Sequence, residues 1–283
     1  MGYETGIEWT DHTFNPWWGC VKVSPGCNEC YAERDAKRFG HKIWGKDAPR
    51  RFFGADHWIQ PIKWNLEAMR LGVRRKVFCG SHCDVMETRP ELQPERARLY
   101  GVIDETPNLD WLLLTKRPQN FIHMFPEKWL KEPRPNVWLM ASVESDEFLW
   151  RVDRLLEVPA AVHGLSIEPL LGPLDLSRYM LPKRVRDGFR ELCATFPPEA
   201  FPLPSHLQLR RTLDWVIAGG ESGSRARAAQ ADWFRRLRDD CVSTDTPFFF
   251  KQWGEHSEGL VRIGKRKAGR LLDGVEWSQF PEV

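Results

Sequence analysis

Three of the seven cysteines of this 283-residue chain lie in one short stretch. Cys20, Cys27 and Cys30 have the spacing C-x6-C-x2-C, and Pro25 and Gly26 break regular structure just before the second cysteine. A loop can therefore turn three thiolates toward one point, which is typical of a soft metal centre. A closed structural zinc or iron–sulfur site takes four protein ligands, whereas three leave one position open. The ten residues after Cys30 contain no further Cys or His, so the pattern predicts an open position where chemistry can occur.

Two other interpretations of these cysteines remain open. A distant Cys or His would complete a zinc site, or the thiols are buried and inert. Elsewhere, Cys79 and Cys83 flank His82, but two thiols and one imidazole are an incomplete metal site, and burial of Cys79 is the simpler interpretation. Cys193 and Cys241 are expected to be core or surface thiols.

Composition narrows the class of protein. The net charge is +2 with 28% charged residues, so no global electrostatic field directs the chain to nucleic acid or membrane. An odd number of cysteines, three of them in one loop, fits a reducing compartment better than a disulfide framework. The sequence has neither an apolar leader nor an apolar run of 18 residues. We therefore expect a soluble, cytoplasmic protein that does not contact a membrane.

Short apolar segments bounded by turn residues predict the elements that position the cysteines. Near-continuous apolar runs are typical of parallel strands that are buried on both faces. Strands alternating with helical segments predict an α/β fold with a parallel barrel or an open doubly wound sheet. The predicted strands are residues 12–17, 76–80, 111–115, 137–142, 162–167, 215–218 and 247–251. The predicted helices are residues 32–39, 94–105, 118–125, 145–158 and 230–241, the last with Trp233, Leu237 and Cys241 on one face.

Polar residues directly follow six of the predicted strands. For each residue alone, a strand cap or a salt bridge is the simpler interpretation, but six strand ends in succession favour a shared pocket. Active sites of (β/α) barrels lie at the carboxyl ends of the strands, so we predict a single TIM-type barrel, complete or nearly complete. The residues are Ser81, His82 and Asp84; Thr115, Lys116 and Arg117; Ser142 and Glu144; Ser166 and Glu168; Gly219, Gly220 and Glu221; and Lys251 and Gln252.

We predict that the whole chain, 1–283, is one such barrel domain, with the cysteine loop after the first strand. Residues 40–65 are predicted to be an inserted loop beside the cysteines. Residues 175–211, rich in proline, are predicted to be an excursion between the fifth and sixth strands. The tail, 255–283, is predicted to contain a hairpin around a basic turn.

The cysteine loop resembles the three-cysteine motif of the radical S-adenosylmethionine (SAM) superfamily. In that superfamily three cysteines hold a [4Fe–4S] cluster and SAM chelates the fourth iron. The whole chain is more closely similar to a phage-associated, radical SAM-like family with a three-cysteine motif, and loosely similar to spore photoproduct lyase. The matching stretches are IEWT (7–10), the cysteine loop (15–31), LTKRP (114–118), SIEPLLGP (166–173), WVIAGGES (215–222) and FFKQWG (249–254). The chain departs from the commonest superfamily spacing, C-x3-C-x2-C, and from its usual aromatic residue before the last cysteine, where Glu29 stands.

This resemblance implies an enzyme that cleaves SAM to abstract hydrogen from a substrate, with an electron donor as a partner. In the superfamily a Gly-Gly-Glu motif binds the SAM amino group after the second strand. Here Gly219, Gly220 and Glu221 follow the sixth strand, and Ser81 lies near the usual place; all four are expected to bind SAM. A tight turn with a solvated glutamate is the alternative interpretation.

The resemblance also implies that Ser142 and Glu144 bind SAM, because the superfamily often contacts the SAM ribose after the fourth strand. Cations at strand ends suit phosphate or carboxylate groups, so Lys116, Arg117 and Lys251 are predicted to bind substrate. Glu168 is expected to contact substrate or SAM. An ion pair between one of the lysines and Glu168 or Glu221 is equally compatible with the sequence.

Basic residues interleave with aromatic residues in two further stretches, near Arg50 and Arg51 and near Arg225 and Arg227. Such patches can track a phosphate backbone while rings stack on bases, although a solvated charged face is the alternative. A nucleobase in DNA or RNA is therefore the predicted substrate. The competing hypothesis is a zinc- or cluster-stabilised nucleic-acid-binding protein without catalytic activity.

Overall fold

The computed structural model describes residues 5–185, 188 and 212–282, and its scaffold is one sheet of seven parallel strands. The strands lie in chain order, so each pairs only with its neighbours in sequence. The predicted α/β architecture and all seven predicted strands are confirmed. The sheet is an open half-barrel, because β1 and β7 are its two edges and do not pair with each other. The strands are β1 (His12–Phe14), β2 (Arg75–Cys79), β3 (Leu109–Thr115), β4 (Val137–Ser142), β5 (Val162–Ile167), β6 (Trp215–Gly219) and β7 (Phe248–Gln252).

Helices connect successive strands, and all five predicted helices are present, two of them with a 3₁₀ turn as their first part. The helices in the described residues are α1 (Tyr31–Arg38), α2 (Ala55–Trp58), α3 (Gln60–Leu71), α4 (Gln93–Glu105), α5 (Phe121–Met124), α6 (Glu127–Lys131), α7 (Trp150–Leu156), α8 (Ala231–Ser243) and α9 (Lys265–Ala268). The 3₁₀ turns are Pro25–Cys27, Pro90–Leu92, Pro118–Asn120, Asp146–Phe148 and Ser177–Tyr179. In the described part of the chain, no helix combines the length and the hydropathy that crossing a membrane requires.

The strands are buried on both faces and therefore divide the core into two layers. Because side chains alternate along a strand, Trp111 and Leu113 of β3 face the layer under the helices, whereas Leu112 faces the interior of the half-barrel. The same alternation explains the near-continuous apolar runs that predicted these strands.

The interior of the half-barrel is filled by aromatic rings. Trp215 of β6 makes edge contacts with Trp9 and Trp138, at ring-centroid distances of 6.3 and 5.8 Å. Phe280 packs on Trp215 at 5.2 Å, and the ammonium of Lys76 from β2 lies 4.5 Å from the Phe280 ring. The Phe280 ring thus contacts residues of both β6 and β2, which lie near opposite edges of the sheet. The sheet must curve strongly to bring these two strands to one ring.

The edge at β7 is covered by the chain itself. Residues 277–279 run antiparallel to β7, where the Phe250 N–H donates to the Trp277 carbonyl at 3.0 Å and the Gln279 N–H donates to the Phe248 carbonyl at 3.2 Å. An uncovered strand edge would present unpaired backbone groups to other chains, so this segment protects the open sheet.

Residues 40–65 differ from the predicted loop, because the second half of the stretch is helical. Pro61 in the first turn of α3 and the left-handed Gly72 after its last turn are favourable at those positions. Trp58 and Trp64, which were assigned to the loop, are buried in the core instead.

The excursion and the tail also differ in detail from the predictions. Most of 175–211, including Cys193, lies outside the described residues. In the tail, β8 (Leu271–Leu272) and β9 (Val275–Glu276) form the predicted hairpin, but its turn is Asp273-Gly274 and the basic run forms α9. On α8 the buried face carries Phe234, and Trp233 only packs partly against the core. The assignment of the chain to one domain stays a prediction.

Candidate active site

A cavity of about 360 Å³ lies at the carboxyl ends of the parallel strands. This volume is within the range of sites that bind small molecules and cofactors. Cys20, Cys27 and Cys30 all line it, so the cysteine loop and the strand ends share one cavity. The strand-end residues in its wall are Ser81, Asp84, Thr115, Lys116, Ser142, Ser166, Glu168, Gly220, Glu221, Lys251 and Gln252.

The first part of the cysteine loop is attached to the end of β2. The Asn15 side chain donates to Ser81 Oγ at 2.9 Å and accepts from the His82 N–H at 2.6 Å. The Gly19 N–H then donates to the His82 carbonyl at 3.0 Å. Gly19 has a φ of +114°, and a Cβ at this position would lie 2.4 Å from the Ile43 carbonyl oxygen. Only glycine fits here, immediately before Cys20.

A buried ion pair fixes Cys20. Arg117 donates to Asp84 Oδ2 at 2.7 Å and to the Val21 carbonyl at 3.0 Å, and its guanidinium lies 3.9 Å from Cys20 Sγ. The second Asp84 oxygen accepts from the Thr115 hydroxyl at 2.6 Å. Arg117 was predicted to bind substrate, but the structure surrounds it with these partners because its charge compensates buried Asp84.

A second buried ion pair holds the loop between Cys20 and Cys27. Glu144 and Arg151 have side chains that are each 1% exposed, and Arg151 donates to Glu144 Oε2 at 2.9 Å. The other carboxylate oxygen accepts from the Gly26 N–H at 3.3 Å. Glu144 was predicted to bind the SAM ribose, yet both of its oxygens already have partners within the protein.

A third ion pair closes the loop from the side of β6. Arg227 donates to both oxygens of Glu221, at 2.5 and 2.8 Å, and to the Pro25 carbonyl at 3.0 Å. Both residues were predicted to bind ligands, and here they bind each other. Nearby, the exposed Arg225 pairs with Glu29 at 3.1 Å, so this predicted substrate contact also has a protein partner.

The glycine pair before Glu221 is explained by packing against β7. A Cβ on Gly220 would lie 1.9 Å from the Trp253 carbonyl oxygen, and the Gly220 N–H donates to the Gln252 carbonyl at 2.9 Å. Gly219 lies beside the Glu168 side chain. The close backbone approach that these glycines permit is therefore to the protein, although they were predicted to bind SAM.

The thiols of the loop lie in different electrostatic environments. Burial, together with the charge of Asp84, raises the pKa of Cys20 to about 12, although Arg117 opposes both effects. Burial also raises the pKa of Cys30, while the backbone N–H groups of the first turn of α1 lower it. Binding to a metal would displace the thiol protons, because a coordinated thiol is deprotonated.

The donor set fits a metal cluster with three protein ligands. Across the described ranges, no group of three or more His, Cys, Asp or Glu side chains is arranged to hold a single ion. The ligands of one zinc ion must all converge to about 2.0–2.3 Å from it. A [4Fe–4S] cluster distributes its thiolates over different irons, so three cysteines around one cavity meet its requirement without converging on one point.

A few polar groups in the cavity wall have no partner among the described residues. They include the ammonium of Lys116 and the hydroxyls of Ser142 and Ser166, each at the end of a different strand, together with Trp9 Nε1, Gln252 Oε1 and the ammonium of Lys265. In contrast, Lys251 donates to both oxygens of Glu168, at 2.8 and 2.9 Å. Lys116 is therefore available to an anionic ligand. Of the ion pairs that the sequence left open, the structure contains the one between Lys251 and Glu168.

Comparison with known proteins places the chain in a family. A family of proteins described as being of unknown function (DUF5131) matches residues 4–281. The chain belongs to that family. No curated protein shows significant similarity to it.

Several solved structures of spore photoproduct lyase are similar to this chain. The complex with the dinucleoside spore photoproduct is 12% identical over 81% of this chain, with a TM-score of 0.41. Two variants of that enzyme give TM-scores of 0.47 and 0.42, at 13% and 11% identity over 86% and 83% of this chain; the second contains AdoMet and the dinucleoside spore photoproduct. The chain covers 60%, 64% and 62% of the length of these three structures.

The structure adds site residues that the sequence analysis did not select. Arg151 is one, and its only sequence signal is its position seven residues after Glu144. Tyr31 is another: it lines the cavity, and its hydroxyl donates to the Ser81 carbonyl at 2.9 Å. Cys83 also lines the cavity, whereas Cys79 is buried as expected.

Arg50 and Arg51 have opposite environments although they are adjacent in the sequence. Arg50 is buried and donates to Glu87 at 2.6 Å and to the Ala48 carbonyl at 2.8 Å. It holds the loop that precedes α2, so it is not available to phosphates. Arg51 is exposed and lies over two aromatic rings.

Proposed function

We propose that this protein is a radical SAM-like iron–sulfur enzyme that abstracts hydrogen from a nucleobase in DNA or RNA. The observation that carries the proposal is that Cys20, Cys27 and Cys30 share one cavity with Lys116, Ser142 and Ser166, which have unpaired polar groups. Three thiolates would leave one position of a cluster open, in a cavity whose wall carries groups able to bind a cofactor.

The three cysteines would hold a [4Fe–4S] cluster, and SAM would lie beside it against the strand ends. When bound, the two cofactors supply reductive cleavage of SAM and hydrogen abstraction from the substrate, with electrons from a separate donor. Lys116 suits the SAM carboxylate, because an ammonium without a counter-ion forms a charge-assisted hydrogen bond with it. The hydroxyls of Ser142 and Ser166 can donate to or accept from the ribose.

The carboxylates of the site have a positioning role in this proposal. Asp84, Glu144 and Glu221 are each paired with an arginine, and each pair also contacts the cysteine loop or its flanks. They determine where the thiolates lie, and they leave ligand binding to the other groups of the cavity wall.

The opposite part of the wall is suited to a flat ring with polar edges. Trp9 and Phe78 supply an aromatic floor, and both line the cavity. Glu168 and Gln252 also line the cavity. The Gln252 amide donates to Glu168 at 3.0 Å, and its amide oxygen has no partner among the described residues, so a hydrogen-bonding group is present for the edge of a base. A nucleobase is a flat ring with polar edges, so it fits both the aromatic floor and the polar groups.

The test is anaerobic purification followed by iron and sulfide analysis, electron paramagnetic resonance and an assay of SAM cleavage. We expect about four irons and four sulfides per chain. Alanine at Cys20, Cys27 or Cys30 should abolish cluster binding, while Cys241→Ala, in the core of α8, should retain it. Stoichiometric zinc without iron would contradict the proposal. It would favour the alternative, a zinc-stabilised nucleic-acid-binding protein that does not bind SAM.

A further inference from the structure

A continuous run of aromatic rings leads from the cavity wall to the outer surface. Tyr31 lines the cavity and meets the His82 ring edge-on at 5.8 Å. His82 stacks on Trp18 at 4.8 Å with an interplanar angle of 20°. Trp18 in turn contacts Phe53 at 5.8 Å and Phe39 at 6.5 Å. The outer end of this run, Trp18, Phe39, Arg51 and Phe53, is called the ring surface below, together with the exposed Phe52 that lies between Arg51 and Phe53 in the sequence.

The ring surface exposes large apolar side chains that the core does not use. Phe39 is 62% exposed and Phe52 is 43% exposed. Burying an apolar ring stabilises a fold, so leaving these two rings in water forgoes stability that the protein could otherwise gain. Exposed aromatic rings beside a cavity are typical of a binding surface.

Cations without counter-ions surround these rings. Residues 33–56 contain seven lysines and arginines against four aspartates and glutamates. Among the described residues, Arg38, Lys42, Lys46 and Arg51 make no ion pair with a carboxylate. Arg51 lies over Trp18 and Phe53, with its guanidinium carbon 4.9 and 5.1 Å from the two ring centroids.

Half of the acidic residues in this segment are occupied. Glu33 pairs with Lys22 and Lys37 at 2.9 and 2.7 Å, and Asp35 lies 3.6 Å from the His82 ring. Asp47 and Asp56 make no ion pair among the described residues, so the four unpaired cations outnumber the two unpaired carboxylates and the unpaired charge of the segment is positive on balance.

Exposed rings among unpaired cations match the chemistry of single-stranded nucleic acid. Cations track the phosphates, and aromatic faces stack on bases of any type. A duplex hides the faces of its bases, and an acidic peptide has no flat rings to stack, so neither uses both features. We propose that the ring surface binds single-stranded DNA or RNA beside the nucleotide that enters the cavity. This inference rests on the proposed function and deepens it by assigning the surface that holds the strand.

The test measures binding of a fluorescein-labelled oligothymidylate of about 12 nucleotides, within the range of site sizes for such surfaces. Binding should weaken about 5- to 100-fold in Phe39→Ala and in Phe52→Ala, since one stacked base is lost in each. Trp150→Ala on α7 removes a ring of similar exposure elsewhere and should bind like the wild type. An abasic oligonucleotide of equal length keeps the phosphates and should bind at least 10-fold more weakly than the oligothymidylate.

The charge component is tested separately through the salt dependence. Arg51→Gln should lower the slope of log affinity against log salt by about 0.7, the value for one contact with a single strand. Arg70→Gln, near the end of α3 that leads into the start of β2, should leave the slope unchanged. Equal binding of the abasic oligonucleotide, tighter binding of a duplex or of polyglutamate, or unchanged binding in both phenylalanine variants would overturn the proposal.

All binding is measured on the full-length chain, before and after iron–sulfur reconstitution and without SAM. Strand binding that depends on the two phenylalanines in a chain that takes up no cluster during reconstitution would support the ring surface and contradict the radical enzyme. SAM cleavage by the wild-type chain, combined with strand binding that is unchanged in both phenylalanine variants, would support the radical enzyme and contradict the ring surface.

Discussion

The two sides of the cavity use their polar residues in opposite ways. On the side of the cysteine loop, Glu144 and Glu221 are each paired with an arginine and each pair contacts the loop. On the side of the strand ends, Lys116, Ser142 and Ser166 have no partner among the described residues. The charged residues that the sequence predicted to bind ligands thus hold the cysteine loop in place. The groups that are free to bind a ligand include Lys116 and the two hydroxyls.

The largest effect should come from the most buried pair. Glu144→Ala leaves Arg151 charged, 1% exposed and without its carboxylate, so the free energy of unfolding should fall by about 3–5 kcal/mol. Urea denaturation measures this change. Glu147→Ala, an exposed neighbour, is the control and should change stability by less than about 0.5 kcal/mol. A Glu144→Ala protein as stable as its control would show that the pair does not hold the loop.

Glu221→Ala should have a smaller effect, because the Arg227 side chain is 37% exposed and can turn toward water. We expect a loss of about 1–2 kcal/mol in the free energy of unfolding, the cost of losing hydrogen bonds to a charged group that stays partly solvated. The loop should also bind its cluster less tightly, since the Pro25 contact of Arg227 loses its support. Iron retention under chelator challenge measures that part, and unchanged retention would limit Glu221 to a local role.

On the strand-end side the order of effects should reverse. Lys116→Ala should leave the free energy of unfolding within about 0.5 kcal/mol of the wild type, because the ammonium has no partner to lose. Calorimetry should show SAM affinity lowered about 10- to 100-fold in the cluster-loaded protein, the value of one hydrogen bond between charged groups. Lys267→Ala in α9 is the matched control. Loss of stability without loss of SAM affinity would show that Lys116 has a structural role and does not bind the ligand.

The smallest expected effect concerns His82, which lies behind the loop. Burial lowers its pKa, and Asp35 partly opposes this shift. Because the folded pKa is lowered, the stabilising contribution of His82 is complete above the unfolded value of about 6.5 and is lost as the pH falls through the folded value. His82→Gln should therefore lose less stability than the wild type between pH 7 and pH 5. His123→Gln, on an exposed part of α5, is the control, and parallel pH profiles for all three proteins would contradict the expectation.

Much of the scaffold could be predicted because its signals are local. Six of the seven strands are short apolar runs that end in polar residues, and these runs have no competing helical period. The same signals led to the shared cavity, since parallel strands place their carboxyl ends together. The closure of the barrel could not be predicted, because pairing between the first and last strands depends on curvature that accumulates over the whole sheet.

Individual roles at the site were harder to predict, because they depend on partners distant in sequence. Arg50 and Arg51 are adjacent, yet one is buried against Glu87 and the other is exposed over Trp18. A basic doublet gives no indication of which residue faces inward. Similarly, Gly220 is needed because a side chain there would collide with the Trp253 carbonyl at the end of β7. This close approach exists only when β6 and β7 are paired, so the sequence around Gly220 does not reveal it.

The open sheet has a consequence for the size of the cavity. In a closed barrel, a larger radius requires backbone hydrogen bonds of the ladder to break. Here the seam between β1 and β7 is bridged by side chains such as Phe280, so the walls can move apart while every ladder keeps its bonds. A ligand larger than the cavity of about 360 Å³ can therefore be accommodated by separation of the two edge strands.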